Sequence, residues 1–315
     1  MGGAHEWRAE QFEQQRSHLR AVAYRMLGSV AEAEDAVQET WLRHSQSDNG
    51  GVDNLRAWLT TITARVALNM LRARKCRSEV PTATHVPDPL ISAADGDDPE
   101  KCVLLADSVG LALLVVLDTL APDERLAFVL HDMFGVPFEE IAPMIDRTPT
   151  AARKLASRAR RRVRKGAPAP DRDLTRQREL VDAYFAAAHD GDLNRLIAVL
   201  DPEVVLRADA GPQRPGASVL MRGPSAIVGR AIAFARLPLE RIPVLTNGTI
   251  GAVVLSEGQP FSVMSFTIVG SKIVEIDILA DPERLREIDL SAVRGEHAMS
   301  ARPGYGRKPR VAGST

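Results

Sequence analysis

The densest chemistry in the sequence is cationic. Between Thr148 and Lys165 stand Arg153, Lys154, Arg158, Arg160, Arg161, Arg162, Arg164 and Lys165, with no acid after Asp146. Cations repeated along one helix neutralise phosphates, which gives salt-dependent affinity but little sequence information. The residues in front of them supply the rest of a motif: Phe138-Glu-Glu-Ile-Ala-Pro-Met-Ile145, a short turn, then Thr148-Pro-Thr-Ala-Ala-Arg-Lys154. Ile141 and Ile145 pack one helix at i, i+4. Thr148 can cap the next, and Pro149 suits its first position. Ala151 and Ala152 are small enough for a close helix crossing. This is a helix–turn–helix. Its leading residues Arg147, Thr148, Thr150, Ala151, Arg153 and Lys154 are placed to reach base edges in a major groove, with Arg158 and Arg161 on phosphates. The alternative is a solvated basic helix in an ordinary bundle.

A second chemical signal is acidic. In Val30–Arg43, Glu32, Asp35 and Glu39 recur at spacings of three and four, so they share one helical face. Such a stripe suits a basic protein partner, and equally suits water. The helix after it carries Trp58, Thr60, Thr61 and Thr63 near its start and Arg65, Arg72, Arg74 and Lys75 later. An aromatic and hydroxyls beside cations fit single-stranded nucleic acid. A core role for Trp58 fits equally well.

No comparable cluster points to metal or redox chemistry. The two cysteines, Cys76 and Cys102, form no C-x-x-C pair, and no two of the seven histidines fall one helical turn apart. We expect reduced thiols, no metal and no cofactor. The start, MGGAHEWRAE, has no apolar signal-peptide core, and the longest apolar stretch, Val109 to Leu117, is too short to span a bilayer. The expectation is a cytoplasmic protein with no membrane contact.

The elements that must position these groups follow from periodicity. Hydrophobic residues make up 45 % of the chain but aromatics only 4 %, so its cores rest on Leu, Val, Ile and Ala. The net charge of −1 is uninformative. Phe12, Leu19, Val22 and Met26 make one helical stripe, ended by Gly28-Ser29. Val30, Ala33, Val37 and Trp41 make a second. After an Asp48–Gly51 loop, Leu55, Leu59, Ile62, Val66 and Met70 make a third. These close a small bundle over 6–77. Residues 78–101 are proline-rich and aperiodic, and read as an extended linker. Helices are expected at 102–120, 122–134, 138–145 and 148–165, followed by a short linker at Gly166–Pro170. The third block, 174–290, opens with helix over 174–200. It continues with strands at 204–206, 250–255, 261–269 and 272–279 and a helix at 223–236, read as an α+β unit with an antiparallel sheet. A Gly-, Pro-, Ser- and Arg-rich tail, 295–315, is expected to be disordered.

Glu34-Asp-Ala-Val-Gln-Glu-Thr-Trp-Leu-Arg43, followed by Arg56-Ala-Trp-Leu-Thr-Thr-Ile62, resembles region two of the extracytoplasmic-function (ECF) sigma factors, and Phe138 to Arg160 resembles their region four. The resemblance implies two all-α sigma domains. It implies that Asp35, Gln38, Glu39 and Trp41 meet core RNA polymerase at the clamp helices of its beta-prime subunit. It implies that Asn54, Arg56, Trp58, Thr61, Arg65 and Arg72 hold the −10 element of promoter DNA, and that the helix–turn–helix reads the −35 element. Ordinary members end there. Residues 174–290 resemble the SnoaL-like branch of the cone-shaped NTF-like fold, an appendage carried by one subgroup of the family. Pro87-Asp-Pro-Leu90, Asp209-Ala-Gly211 and Asp281-Pro-Glu-Arg-Leu285 stand where that subgroup has its linker, glycine-rich and C-terminal motifs, and all three depart from its pattern. Relatives of the fold include isomerases and cyclases that use an Asp base in an apolar pocket. By residue type Asp190, Asp209 and Asp277 are the acids to consider as a base, and Asp209, Asp277 and Asp281 the candidates for a regulatory pocket or contact. Two functions are weighed: an alternative sigma factor regulated in cis by its appended domain, with room for a small ligand there, and a pocket enzyme fused to a DNA-binding module.

Overall fold

The structure, a computed structural model, describes residues 2–46, 54–76, 83–93, 110–214, 216–288 and 290. The expected Asp48–Gly51 loop, the ends of the 78–101 linker, the first turns of the 102–120 helix and the 295–315 tail lie outside these residues.

Three helices form the first unit: α1 (Gly2–Leu27), α2 (Val30–Gln46) and α3 (Leu55–Cys76). Gly28 ends α1 at φ +72, a conformation that costs glycine nothing. The Ser29 hydroxyl accepts the Glu32 amide at 3.4 Å, so α2 starts at once. Phe12, Leu19, Val22, Met26, Ala33, Val37, Leu59 and Val66 are buried, which matches the three stripes. The second unit is α4 (Leu111–Asp118), α5 (Pro122–Phe128) with a π-helical continuation at Val129–Met133, α6 (Phe138–Ile141) with a 3-10 continuation at Ala142–Met144, and α7 (Pro149–Gly166). Pro143 cannot donate an amide, which accounts for the tightened end of the α6 segment.

The third unit contains α8 (Leu174–Asp190), α9 (Leu193–Val199), β2 (Leu200–Asp209), β3 (Val219–Arg222), α10 (Pro224–Ala235), β4 (Leu239–Thr246), β5 (Thr249–Ser256), β6 (Gln259–Val269), β7 (Lys272–Leu279) and α11 (Pro282–Glu287). The single helix expected over 174–200 is two helices, because Gly191 turns left-handed at φ +70 and Asp192 caps the second. Tight turns at Asn247-Gly248 and Glu257-Gly258, all at positive φ, join β4 to β5 and β5 to β6.

Two expectations are corrected. The sheet is mixed, not antiparallel, because β2 pairs with β7 in parallel through Leu206 and Ile276. The α8–α9 pair and β2 come first in the chain, and β2 reaches the sheet beside the last strand. The 78–101 segment is also more than a linker. Ile91–Ala93 form β1, antiparallel to β4 with Ile91 opposite Thr246, and Val86 is fully buried. The strand order is therefore β1-β4-β5-β6-β7-β2-β3, so the sheet takes its edge strand from between the two helical units.

One face of this sheet is covered by α8, α9 and α10, an arrangement that resembles the cone of the SnoaL/NTF-like fold. Its inner face, with Leu206, Phe266, Ile268 and Ile276, packs on Val181, Tyr184 and Leu196. Its outer face, with Ile242, Val244, Val253 and Val263, joins the core of the helical units. A sheet covered on both sides explains why β5 reads as a continuous apolar run rather than an alternating one.

Candidate nucleic-acid interface and the junction that holds it

Capping decides how α7 presents its charges. The Thr148 side chain accepts the Ala151 amide at 3.3 Å, and Pro149 fills the first position. Ala152, Ala156 and Ala159 are fully buried, so α7 lies close on its neighbours with one small-residue face. Arg147, Thr148, Thr150, Arg153, Lys154, Arg158 and Arg161 are exposed on the rest of the helix, and Ala151 is half-buried. The Arg153 guanidinium lies 5.3 Å from the Phe138 ring centroid, which holds it near the start of the helix. Arg160 pairs with Asp132, Arg162 with Glu124 at 3.0 Å and Arg158, more loosely, with Glu124 at 4.0 Å, so they brace α7 on α5 and its continuation. Sequence reasoning could not separate bracing arginines from outward ones, since both occur in the same run.

On α2, Asp35 and Gln38 are exposed and Glu39 is half-exposed, bonded to Arg43 at 2.8 Å. Leu42, 51 % exposed, extends this face and was not singled out by sequence. Glu32 leaves the stripe, bonding Arg74 of α3 at 2.9 Å, and Glu34, outside the stripe, pairs with Arg16 and Arg20 of α1. Trp41 lies inward. It packs 5.1 Å from Phe12 and 5.8 Å from His44, and His44 in turn meets Trp58 at 5.5 Å. Both tryptophans are half-buried in one aromatic cluster, so their first role is to lock α2 onto α3.

Along α3, Asn54 caps the start by accepting the Ala57 amide at 3.0 Å. Arg56 and Arg65 are exposed, and the Arg56 guanidinium reaches His18 at 2.9 Å. The Thr61 hydroxyl donates to the Ala57 carbonyl at 3.0 Å. Arg72 is not turned to solvent alone. It pairs with Asp123 of α5 at 2.8 Å. The edge contact of His18 with Phe134 at 5.4 Å and the stacking of Arg25 on that ring at 4.8 Å tie the same two units together.

The residues between the units form a clamp. Asp88 accepts the Val30 amide at 3.0 Å, its own amide donates to the Gly28 carbonyl at 2.9 Å, and Tyr24 donates to its carbonyl. From the other side Arg284 of α11 donates to the Asp88 carboxylate at 2.7 Å, to the Val86 carbonyl at 2.6 Å and to the Asp209 carboxylate at 2.9 Å. Asp209 also accepts the amides of Val86 at 3.2 Å and Gly211 at 3.1 Å. His85 lies 3.2 Å from Asp209 and 3.7 Å from Asp118 of α4. Asn247 exchanges two hydrogen bonds with Leu90 and donates to Tyr24 at 3.1 Å. A Cβ on Gly211, at φ +75, would run into the Asp281 carboxyl. The stretches at 87–90, 209–211 and 281–285 therefore meet at one place. Burial alone would raise the Asp209 pKa. Hydrogen bonds from His85, Val86 and Gly211, with the Arg284 charge, outweigh it and hold the group down at about 2.

The acids singled out in the third unit do not line its cavity. That cavity, about 380 Å³, is walled by groups such as Tyr184, Phe185, Leu206, Phe234, Phe261 and Met264. Asp209 belongs to the clamp. Asp277 is buried against Arg207, which also binds Glu275 at 3.1 Å; burial pushes the Asp277 carboxyl up and Arg207 opposes it. Asp281 caps α11 by accepting the Glu283 amide at 2.9 Å. Asp190 pairs on the surface with Arg195 at 3.2 Å. In each case a neighbouring cation or amide claimed the carboxylate, which residue type alone could not show.

Comparison with known proteins covers both helical units and the cone. Residues 11–76 match Sigma-70 region 2, and residues 110–163 match Sigma-70, region 4. The chain is 42 % identical over 224 residues to the ECF RNA polymerase sigma factor SigJ of Mycobacterium tuberculosis H37Rv, covering 69 % of this chain and 70 % of that protein. It is 34 % identical over 289 residues to the probable ECF RNA polymerase sigma factor SigI of M. tuberculosis CDC 1551, covering 89 % of this chain and 93 % of that protein. The crystal structure of M. tuberculosis extracytoplasmic function sigma factor SigJ superposes with a TM-score of 0.71 at 32 % identity, over 90 % of this chain and 99 % of that one.

Proposed function

The chain belongs to the ECF sigma factors of the sigma-70 family and is an alternative sigma factor, and on that premise we propose how its surfaces divide promoter-directed initiation. Sigma factors bind core RNA polymerase and promoter DNA. Here the exposed α2 face of Asp35, Gln38, Glu39 and Leu42 meets the beta-prime clamp helices. Asn54, Arg56, Thr61 and Arg65 of α3 take the −10 strand, with Arg72 joining once Asp123 lets it go. Arg147, Thr148, Thr150, Arg153 and Lys154 of α7 read the −35 element, and Arg158 and Arg161 neutralise phosphates. The observation that carries this reading is the capped start of α7, with its reading residues exposed and its small residues buried.

The cone acts in cis. It supplies Asp209, Asn247 and Arg284 to a clamp whose other side is the α1–α2 turn, so it sets how the helical units are held. We read it as a binding and regulatory unit, because Asp209, Asp277 and Asp281 are committed to the clamp, to Arg207 and to a helix cap. Among the described residues no helix is long and apolar enough to cross a membrane. Run-off transcription with core polymerase tests the division. Substitutions on α7 should erase promoter choice, and substitutions in the clamp should change output while start sites stay the same. Start sites that move with clamp substitutions would count against it.

A further inference from the structure

The wall of the cone cavity holds a phenolic donor, Tyr184. Tyr184 is only 3 % exposed and lines the cavity, its ring edge-on to Phe185 at 5.4 Å and to Phe266 at 5.5 Å. Burial raises its pKa well above the usual phenol range, so it stays a neutral donor. A tyrosine hydroxyl on an apolar cavity wall can donate to an oxygen of an occupant.

The same cavity carries positive charge. Arg214, Arg230 and Arg241 line it, against one acid, Glu240. The Arg241 guanidinium lies 4.4 Å over Phe185 and pairs with Asp182, whereas Arg230 lies 5.2 Å over Phe234. Arg214 and Arg230 have no ion-pair partner among the described residues. Two large apolar side chains on its wall, Phe234 at 39 % and Leu237 at 46 %, stand exposed and would be covered by an occupant.

We propose that the cone binds a small, largely apolar carboxylic acid, its acid group among Arg214 and Arg230 and an acceptor oxygen at its inner end on Tyr184. A water takes up about 30 Å³ in the liquid, so the cavity of about 380 Å³ has the room of roughly a dozen waters. Aromatic and aliphatic walls with a few convergent polar groups are how small-molecule sites are built. The site is also placed to be felt at the clamp. Leu206, Ala208 and Ala210 line the cavity, while Asp209, between them on the opposite side of the chain, holds Val86 and Arg284.

The test uses the purified full chain without polymerase or promoter, so its outcome is separate from the sigma-factor reading. The probe is a hydroxynaphthoate with its two oxygen groups at opposite ends, titrated by calorimetry. Plain naphthoate lacks the inner oxygen, and the methyl ester of the probe lacks the charge. Saturable one-site binding in the micromolar range is expected. Tyr184→Phe should weaken hydroxynaphthoate roughly fivefold, the worth of one hydrogen bond, and leave naphthoate unchanged. Arg230→Gln should weaken both acids and spare the ester. Ala235→Leu, or Ala231→Leu if the first fails to fold, should fill the cavity and abolish binding. Absence of saturable binding overturns the proposal. So does binding that Tyr184→Phe and the leucine variants leave untouched in chains with a native circular dichroism spectrum.

Discussion

Arg284→Met is the perturbation that most sharply probes the clamp. It keeps an apolar stem of similar reach and removes the charge. Arg284 donates to two carboxylates and a carbonyl, and the side chains of Asp88 and Asp209 are only 10 % and 11 % exposed. Stranding a buried charge by deleting its partner costs about 3–5 kcal/mol. Two features reduce that here: Arg284 is itself 22 % exposed, and each carboxylate keeps at least one amide donor. About 2–3 kcal/mol is therefore expected, confined to the clamp. The amides of Val86, Asp88 and Leu90 all donate across it, to Asp209, Gly28 and Asn247. If they exchange by opening of the clamp, Arg284→Met should speed their hydrogen exchange roughly 30- to 150-fold, with amides inside α1 and β6 unchanged. No acceleration at these three amides, or equal acceleration across the chain, would refute the reasoning.

Lowering pH attacks the same place. Because Asp209 sits at about 2 when folded, below its ordinary carboxylate value, its contribution is fully present above about pH 4 and is lost as pH falls toward 2. After allowance for screening this amounts to about 1–2 kcal/mol, and Asp209→Asn should flatten that part of a stability–pH curve from chemical denaturation. Lys154→Ala should cost about 1–3 kcal/mol on a specific −35 duplex and relax its sequence preference, whereas Arg161→Ala should weaken all duplexes alike and lower the salt slope by roughly one unit, both read by fluorescence anisotropy. Asp123→Asn should release Arg72 at under about 1 kcal/mol of stability, since the pair is partly exposed, and should tighten binding of a single-stranded −10 oligonucleotide. Asp35→Arg should weaken pull-down of core polymerase without moving the melting temperature, because Asp35 is exposed and contributes to no core.

What the sequence showed and hid follows from the range of the interactions involved. The helix–turn–helix was readable because its signals are local: Thr148, Pro149 and the small residues all act within one turn of where they stand. Strands β6 and β7 were readable for the same reason. The three residues of β1 are too few for any periodicity, and their partner β4 lies about 150 residues away. β4 itself was disguised by Pro243; among the described residues its pairing with β1 stops at Val244, so no β1 partner calls on an amide at Pro243. The three motif stretches at 87–90, 209–211 and 281–285 were noticed singly, but Arg284, which joins them, looks like any surface arginine in sequence. The inward Trp41 and the committed Arg72 were ambiguous because an amphipathic stripe does not reveal which edge of it a neighbour covers.

Promoter-directed initiation is tested most directly by run-off transcription with core RNA polymerase reconstituted with this chain over a promoter library. Discrete start sites set by paired −35 and −10 elements are expected, lost in an Arg153→Ala, Lys154→Ala double variant and kept, at altered yield, in Arg284→Met. Absence of promoter-specific transcripts from the full chain and from Arg284→Met alike, with a core polymerase that responds to its other sigma factors, would contradict it.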